Sequence, residues 1–277
     1  MIRRRVGDEF WLIPQDDHAR ISGELAHCFG ANGFAKPQAA SSVLGISMHD
    51  CGWPIHDDRP TLNKDRLPLD VFETSPQIGL AVWTESARRA VAQDDYAGLL
   101  VSMHSLSLSA LATSQVFDND QFNINDARVR FEVNKFQHTQ IELQENLRRK
   151  AGLHTDIPLH LGVAEKSKDP REQSLEFDFR LLQAMDKLSL CICCTRPPFA
   201  EITPMPDRPG GKCSPLSVQR PEPNRLVVRP WPFAGREIKV KVPYRGVRAG
   251  PFADQAEFLN VYGAAAVQHF ECNVTAG

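Results

Sequence analysis

"NRLVVRPWPFAGREIKVKVPYRG", residues 224–246, changes the period of the chain. Ile238, Val240 and Val242 fall on one face and Lys239 and Lys241 on the other, the two-residue alternation of a strand with one solvated side. Upstream of the Pro197-Pro198 pair, apolar residues recur at helical spacing instead. "QDDHARISGELAHCFG" (15–30) predicts a helix with Asp16 or Asp17 at its start and Gly30 just past its end. A second helix follows Pro37 and runs to about Asp50. Helices are also expected over 76–93, 95–113 and 125–150, and "LEFDFRLLQAMDKLSLCICC" (175–194) is a strongly apolar one. Pro54, Pro60, Pro68 and Pro76 mark residues 53–76 as a long ordered loop, and the polar stretch 154–174 reads as a surface connection. "RRVGDEFWLI" (4–13) reads as a short strand or extended segment, and D-Q-A-E from Asp254 to Glu257 opens a last helix. The expected fold is mainly α: a helical domain over 1–195, then a small C-terminal β-rich extension over 196–277 that ends in a helix.

Composition narrows the function. The 277 residues are 42% hydrophobic and 24% charged with a net charge of -2, which leaves no basic footprint for nucleic acid. No apolar run reads as a bilayer span, and acidic residues with Pro14 break up the basic N-terminal start, so no membrane partner is expected. Seven scattered cysteines are no disulfide framework and suit a cytoplasmic protein. Cys191 and Cys194 have C-x-x-C spacing but lack a second pair, so the cluster reads as a packed helix end.

Polar residues on apolar stripes carry the functional signal. His18 shares a face with Ile21, Leu25 and Cys28, whereas His27 does not. Asp50 follows Val43 and Ile46 by seven and four, His104 lies four from both Leu100 and Leu108, and Asp186 follows Phe179 and Leu182 by seven and four. Singly, each is explained by a hydrogen-bonded core histidine or a capping aspartate. Together with His49 they place two carboxylates and three histidines inward with no lysine or arginine on the same stripes, and a divalent metal would satisfy them all.

The order His18, His49-Asp50, Asp186 resembles the H…HD…D signature of the HD-domain metal-dependent phosphohydrolase superfamily. That resemblance implies an HD-domain-like helical bundle with His18, His49, Asp50 and Asp186 as metal ligands. A closer likeness covers most of the chain: "QDDHARISGELA", "HDCGWPIHDDRPTLN", "DDYAGLLVSMHS", "FRLLQAMDKLSL" and "RPWPF" resemble an uncharacterised bacterial family, domain of unknown function number 3891. It draws attention to the same residues and to Trp53, Asp57, Pro60 and Ser102.

The donor set suits Mn, Fe, Zn or Mg, and a bound water activated by such an ion could attack a small-molecule phosphate ester. His104 is the candidate acid or base, or a ligand to a second ion, and Asp57 is the candidate to orient a histidine or hold the loop over the site. Arg20, Arg180 and Lys187 are the nearest phosphate-binding candidates, and His138 is a weak one. No nucleotide-binding glycine loop or serine-hydrolase elbow is present. The expected function is therefore a metal-dependent hydrolase, with an HD-type di-iron oxygenase and a non-catalytic, metal-stabilised binding or sensor module as alternatives.

Overall fold

Gly7 and Asp8 turn the first residues into a hairpin, β1 (Ile2–Val6) with β2 (Glu9–Ile13), and that hairpin belongs to the same sheet as the C-terminal strands. The computed structural model describes residues 1–113, 122–123, 125–154 and 167–277. The surface connection expected over 154–174 thus falls largely outside the described residues. After the hairpin come α1 (Gln15–Cys28), α2 (Ala40–Met48), the short α3 (Pro54–Asp57), α4 (Pro76–Gln93), α5 (Asp95–Thr113), α6 (Ala127–Lys150) and α7 (Pro170–Cys193). The chain continues as β3 (Glu201–Pro206), β4 (Cys213–Glu222), β5 (Arg225–Arg229), β6 (Glu237–Arg248), α8 (Gln255–Ala264) and β7 (Val267–Ala276).

The strands form one seven-stranded sheet in the order β1-β2-β6-β7-β5-β4-β3, antiparallel except for the parallel pair β5 and β7. This corrects the expected mainly α bundle with a small β extension. The chain is mixed, 49% helix and 22% strand, and its sheet curls into a half-barrel. The reason is long-range pairing: Glu9 to Leu12 of β2 lie opposite Arg248 to Arg245 of β6, which no local period announces. The chain's last described element is likewise a strand, β7, beyond the expected terminal helix.

Alternation within β6 puts Val240 and Val242 at 0% exposure while Lys239 and Lys241 face solvent. The inner face of the sheet shares one core with α1 and α7, where Val228, Val240 and Val274 meet Ile21, Leu25, Leu182 and Leu188. A smaller core on the other face packs Phe10, Leu12 and Val247 under Phe252 and Phe258 of the α8 region. Both sheet edges are blunted. Asp70 and Thr195 side chains accept the N–H groups of Arg3 and Arg5 on β1, and prolines interrupt β3.

Two guanidiniums, that of buried Arg4 and that of half-buried Arg220, tie α7 to the sheet. Arg220 of β4 donates to the carbonyls of Cys191, Ile192, Cys194 and Thr195, and Arg4 of β1 donates to Ile192 O at 2.9 Å. Cations at a helix C-terminus satisfy orphan carbonyls and the dipole together. Cys191, Cys193 and Cys194 are free and buried in this joint. By length and composition α5 could cross a membrane, but 61% of its apolar window is buried within the protein, as in a core helix.

Candidate metal centre

Small residues let the helices approach. A Cβ on Gly23 of α1 would stand 2.5 Å from Ser47 Cβ of α2, and one on Gly45 of α2 would stand 3.2 Å from Ala97 Cα of α5. Because α2 ends at Met48, His49 and Asp50 occupy the shoulder where the helix turns away. Gly52 seats that turn on α4: its N–H donates to Ser86 Oγ at 2.8 Å, and a Cβ would collide with the Val82 carbonyl.

His18, His49, Asp50, His104 and Asp186 converge as two overlapping groups, His18 with His49 and Asp50, and His49 with His104 and Asp186. His49 Nδ1 lies 2.8 Å from Ile46 O, and because a carbonyl only accepts, Nδ1 carries the proton. Ser189 Oγ lies 2.8 Å from Asp186 O and 2.7 Å from His18 Nδ1; with its one proton assigned to the carbonyl, which can only accept, it takes a hydrogen bond from His18 Nδ1–H. Ser22 Oγ supplies the second bond to Ser189, at 2.8 Å. Both Nε2 atoms therefore face inward. The two Nε2 atoms are 3.3 Å apart, with Asp186 Oδ1 at 3.0 Å from His18 Nε2 and 3.6 Å from His49 Nε2.

Three such atoms this close are satisfied either by a proton shared among them or by a metal ion. Ligand atoms about 2.1 Å from one ion lie roughly 3.0 to 3.6 Å apart for angles between about 90° and 120°. The donor set fits a metal on two further counts: Asp50 Oδ1 and His104 Nδ1 are buried with no hydrogen-bond partner. Asp50 Oδ2 lies 3.7 Å from His49 Nε2, and Asp186 Oδ2 lies 3.7 Å from His104 Nε2.

The electrostatics follow from burial. Burial pushes the Asp50 carboxyl up, and it draws His104 down to about 3, leaving a neutral ring. Burial also opposes charge on His49 and Asp186, but their mutual attraction, helped by Asp50 and His18, outweighs it. His49 is pushed up to about 9 and Asp186 is held well below the carboxylate range. The carboxylates that attract that proton are the groups that would attract a metal ion.

Asp57 stands apart from the cluster. Its Oδ1 bonds the amino nitrogen of Met1 at 2.9 Å and its Oδ2 accepts Gln15 N–H at 2.9 Å, so it anchors the loop to the first turn of α1. The cationic candidates are engaged elsewhere: Arg20 with Asp16 and Asp17, Lys187 with Thr203 O, and Arg180 with Gln183. His138 is exposed and pairs with Glu142. Sequence reading missed Ser22 and Ser189. Their signal was spacing, four after His18 and three after Asp186 on the same helix faces.

Fold and site thus define a mixed α/β protein with a histidine and carboxylate centre enclosed by four helical segments. The chain belongs to the family described as Protein of unknown function (DUF3891), whose model matches residues 1–249. No curated protein and no solved structure matches it.

Proposed function

We propose that His18, His49, Asp50 and Asp186 hold a divalent metal ion and that the protein is a metal-dependent hydrolase of phosphate esters. The observation that carries this reading is the convergence of His18 Nε2, His49 Nε2 and Asp186 Oδ1 to within 3.0 to 3.6 Å of one another. A divalent ion held by these residues would lower the pKa of water from about 15.7 toward about 7 and so would supply a nucleophile near neutral pH. The two aspartates offset the ion's charge, and Ser189 and the Ile46 carbonyl fix the ring tautomers. His104, a neutral imidazole whose Nε2 lies 3.7 Å from Asp186 Oδ2, is placed as a further ligand or hydrogen-bonding group beside the ion rather than as a base. The H…HD…D order, through its likeness to the HD-domain phosphohydrolases, is what points to phosphate esters. Seven free cysteines suit a reducing compartment such as the cytoplasm.

Burial favours a second reading, a closed metal centre without turnover: His18, His49, His104 and Asp50 are all at most 5% exposed. One set of measurements separates the readings. Protein purified without chelator is assayed for bound metal, for a thermal shift with Mn, Fe, Zn or Mg, and for hydrolysis of phosphomonoesters, phosphodiesters and nucleotides. Hydrolysis and metal uptake lost together in Asp50→Ala and Asp186→Ala, but kept in the exposed His27→Ala, support the hydrolase. Metal uptake with no hydrolysis selects the closed centre, and oxygen uptake by iron-loaded protein selects an oxygenase. No metal response in the wild type overturns the metal centre itself.

A further inference from the structure

A cavity of about 530 Å³ opens between the end of α3, β6 and α8, lined by Asp58, Arg59, Arg245, Leu259, Asn260 and Tyr262 among others. It shares no residue with the histidine cluster. Its volume lies within the range of small-molecule sites, roughly 300 to 1,000 Å³.

The charges lining this cavity are unbalanced. Neither Arg59 nor Arg245 has an ion-pair partner among the described residues, so the lining carries two arginines and one carboxylate, that of Asp58. Arg59 is exposed just beyond α3, and its backbone N–H is fixed to His56 O at 3.1 Å. Arg245 is pre-oriented: it donates to Ala265 O at the end of α8, and its guanidinium lies 5.5 Å from the Tyr262 ring centroid. Tyr262 is in turn held by a 3.3 Å bond from its hydroxyl to Asp57 O. Leu259 and Ala256 provide an apolar wall, and Asn260 an amide.

We propose that this pocket binds a small phosphate monoester, with the phosphate between Arg59 and Arg245 and the organic body against Leu259 and Ala256. Two planar forks offer more N–H donors than a carboxylate's two oxygens can take, whereas a phosphate presents three terminal oxygens and close to two negative charges. Asp58 disfavours a second anionic group on the ligand and can accept from a hydroxyl on its body. The site stands on these residues alone and does not depend on hydrolysis at the histidine cluster.

Calorimetric titration of the full-length protein with inorganic phosphate, phenylphosphonate, which has no ester bond to hydrolyse, and succinate tests it. Saturable binding at the pocket is expected for phosphate and phenylphosphonate, tighter for phenylphosphonate, with succinate weaker. Arg59→Ala lies on an exposed side chain and is expected to weaken binding about tenfold or more, the loss of one charge-assisted contact. Asp58→Asn is expected to tighten it several-fold by removing the like charge, while Asp50→Ala leaves it unchanged. Affinity unaffected by Arg59→Ala, succinate binding as tightly as phosphate, or binding abolished by Asp50→Ala would each overturn the assignment, the last by placing the anion at the metal.

Discussion

Ser189 Oγ stands 2.7 Å from Nδ1 of His18, and that contact decides which face of the imidazole looks into the cluster. With the hydroxyl proton assigned to Asp186 O, the serine accepts from Nδ1–H and leaves Nε2 pointing at His49 and Asp186. Removing the hydroxyl frees the tautomer. Ser189→Ala is therefore expected to weaken metal binding about 10- to 100-fold in competition titrations, as loss of an orienting partner does. Ser189→Thr, which keeps the hydroxyl, should retain most of the affinity, and Ser22→Ala, one bond further out, should lose less than Ser189→Ala.

Gly52→Ala tests the seat of the His49-Asp50 turn. An added Cβ has no room between Val82 O and Ser86 N, both backbone atoms of α4, so the turn must lift. Overpacking of this kind costs about 1 to 3 kcal/mol. A lowered melting temperature and a reduced metal-induced thermal shift are expected together. Gly250→Ala, where the nearest atom to a Cβ is an ordinary 3.6 Å contact, should change neither.

Asp57 gives the acid limb of stability a named contributor. Burial pushes its carboxyl up, but the Met1 amino group, the His56 ring and the Gln15 N–H outweigh it and hold it below 3.8, its ordinary value. A depressed carboxylate contributes stability that is full above its unfolded value and is lost as pH falls through the folded one. Urea titrations from pH 7 downward should show that loss below about pH 4 in the wild type. Asp57→Asn should flatten that part of the profile. At pH 7 it should cost about 3 to 5 kcal/mol, since it leaves a buried ammonium without its carboxylate.

Arg220→Met removes the donors at the end of α7. Four carbonyls, those of Cys191, Ile192, Cys194 and Thr195, lose their guanidinium, and Arg4 covers only that of Ile192. A loss of about 2 to 3 kcal/mol is expected by chemical denaturation, in line with leaving buried carbonyls unsatisfied. Asp186 lies on the same helix two turns earlier, so a weaker metal response is expected as well.

Much of the helical framework was legible because it is local. The stripes that place His18, His104 and Asp186 inward are set by 3.6-residue geometry and by which side chains avoid water, and all three are indeed turned into the cluster. The helix from Asp254 and the alternation of β6 were readable for the same reason. The partner of Asp57 was not legible, because "HDD" looks alike whether its carboxylate meets solvent, a metal or an amino group fifty-six residues away.

The sequence by itself determined where helices run and which polar residues turn inward, since period and capping act within a few residues. Only the tertiary structure decided that the N-terminal hairpin and the C-terminal strands form one curled sheet. It alone also decided that Ser189 and Ile46 fix the tautomers of two histidines. A strand's partner and a histidine's proton are both set by hydrogen-bonding groups far along the chain, and those groups become neighbours only once burial of the shared core has closed the loops between them.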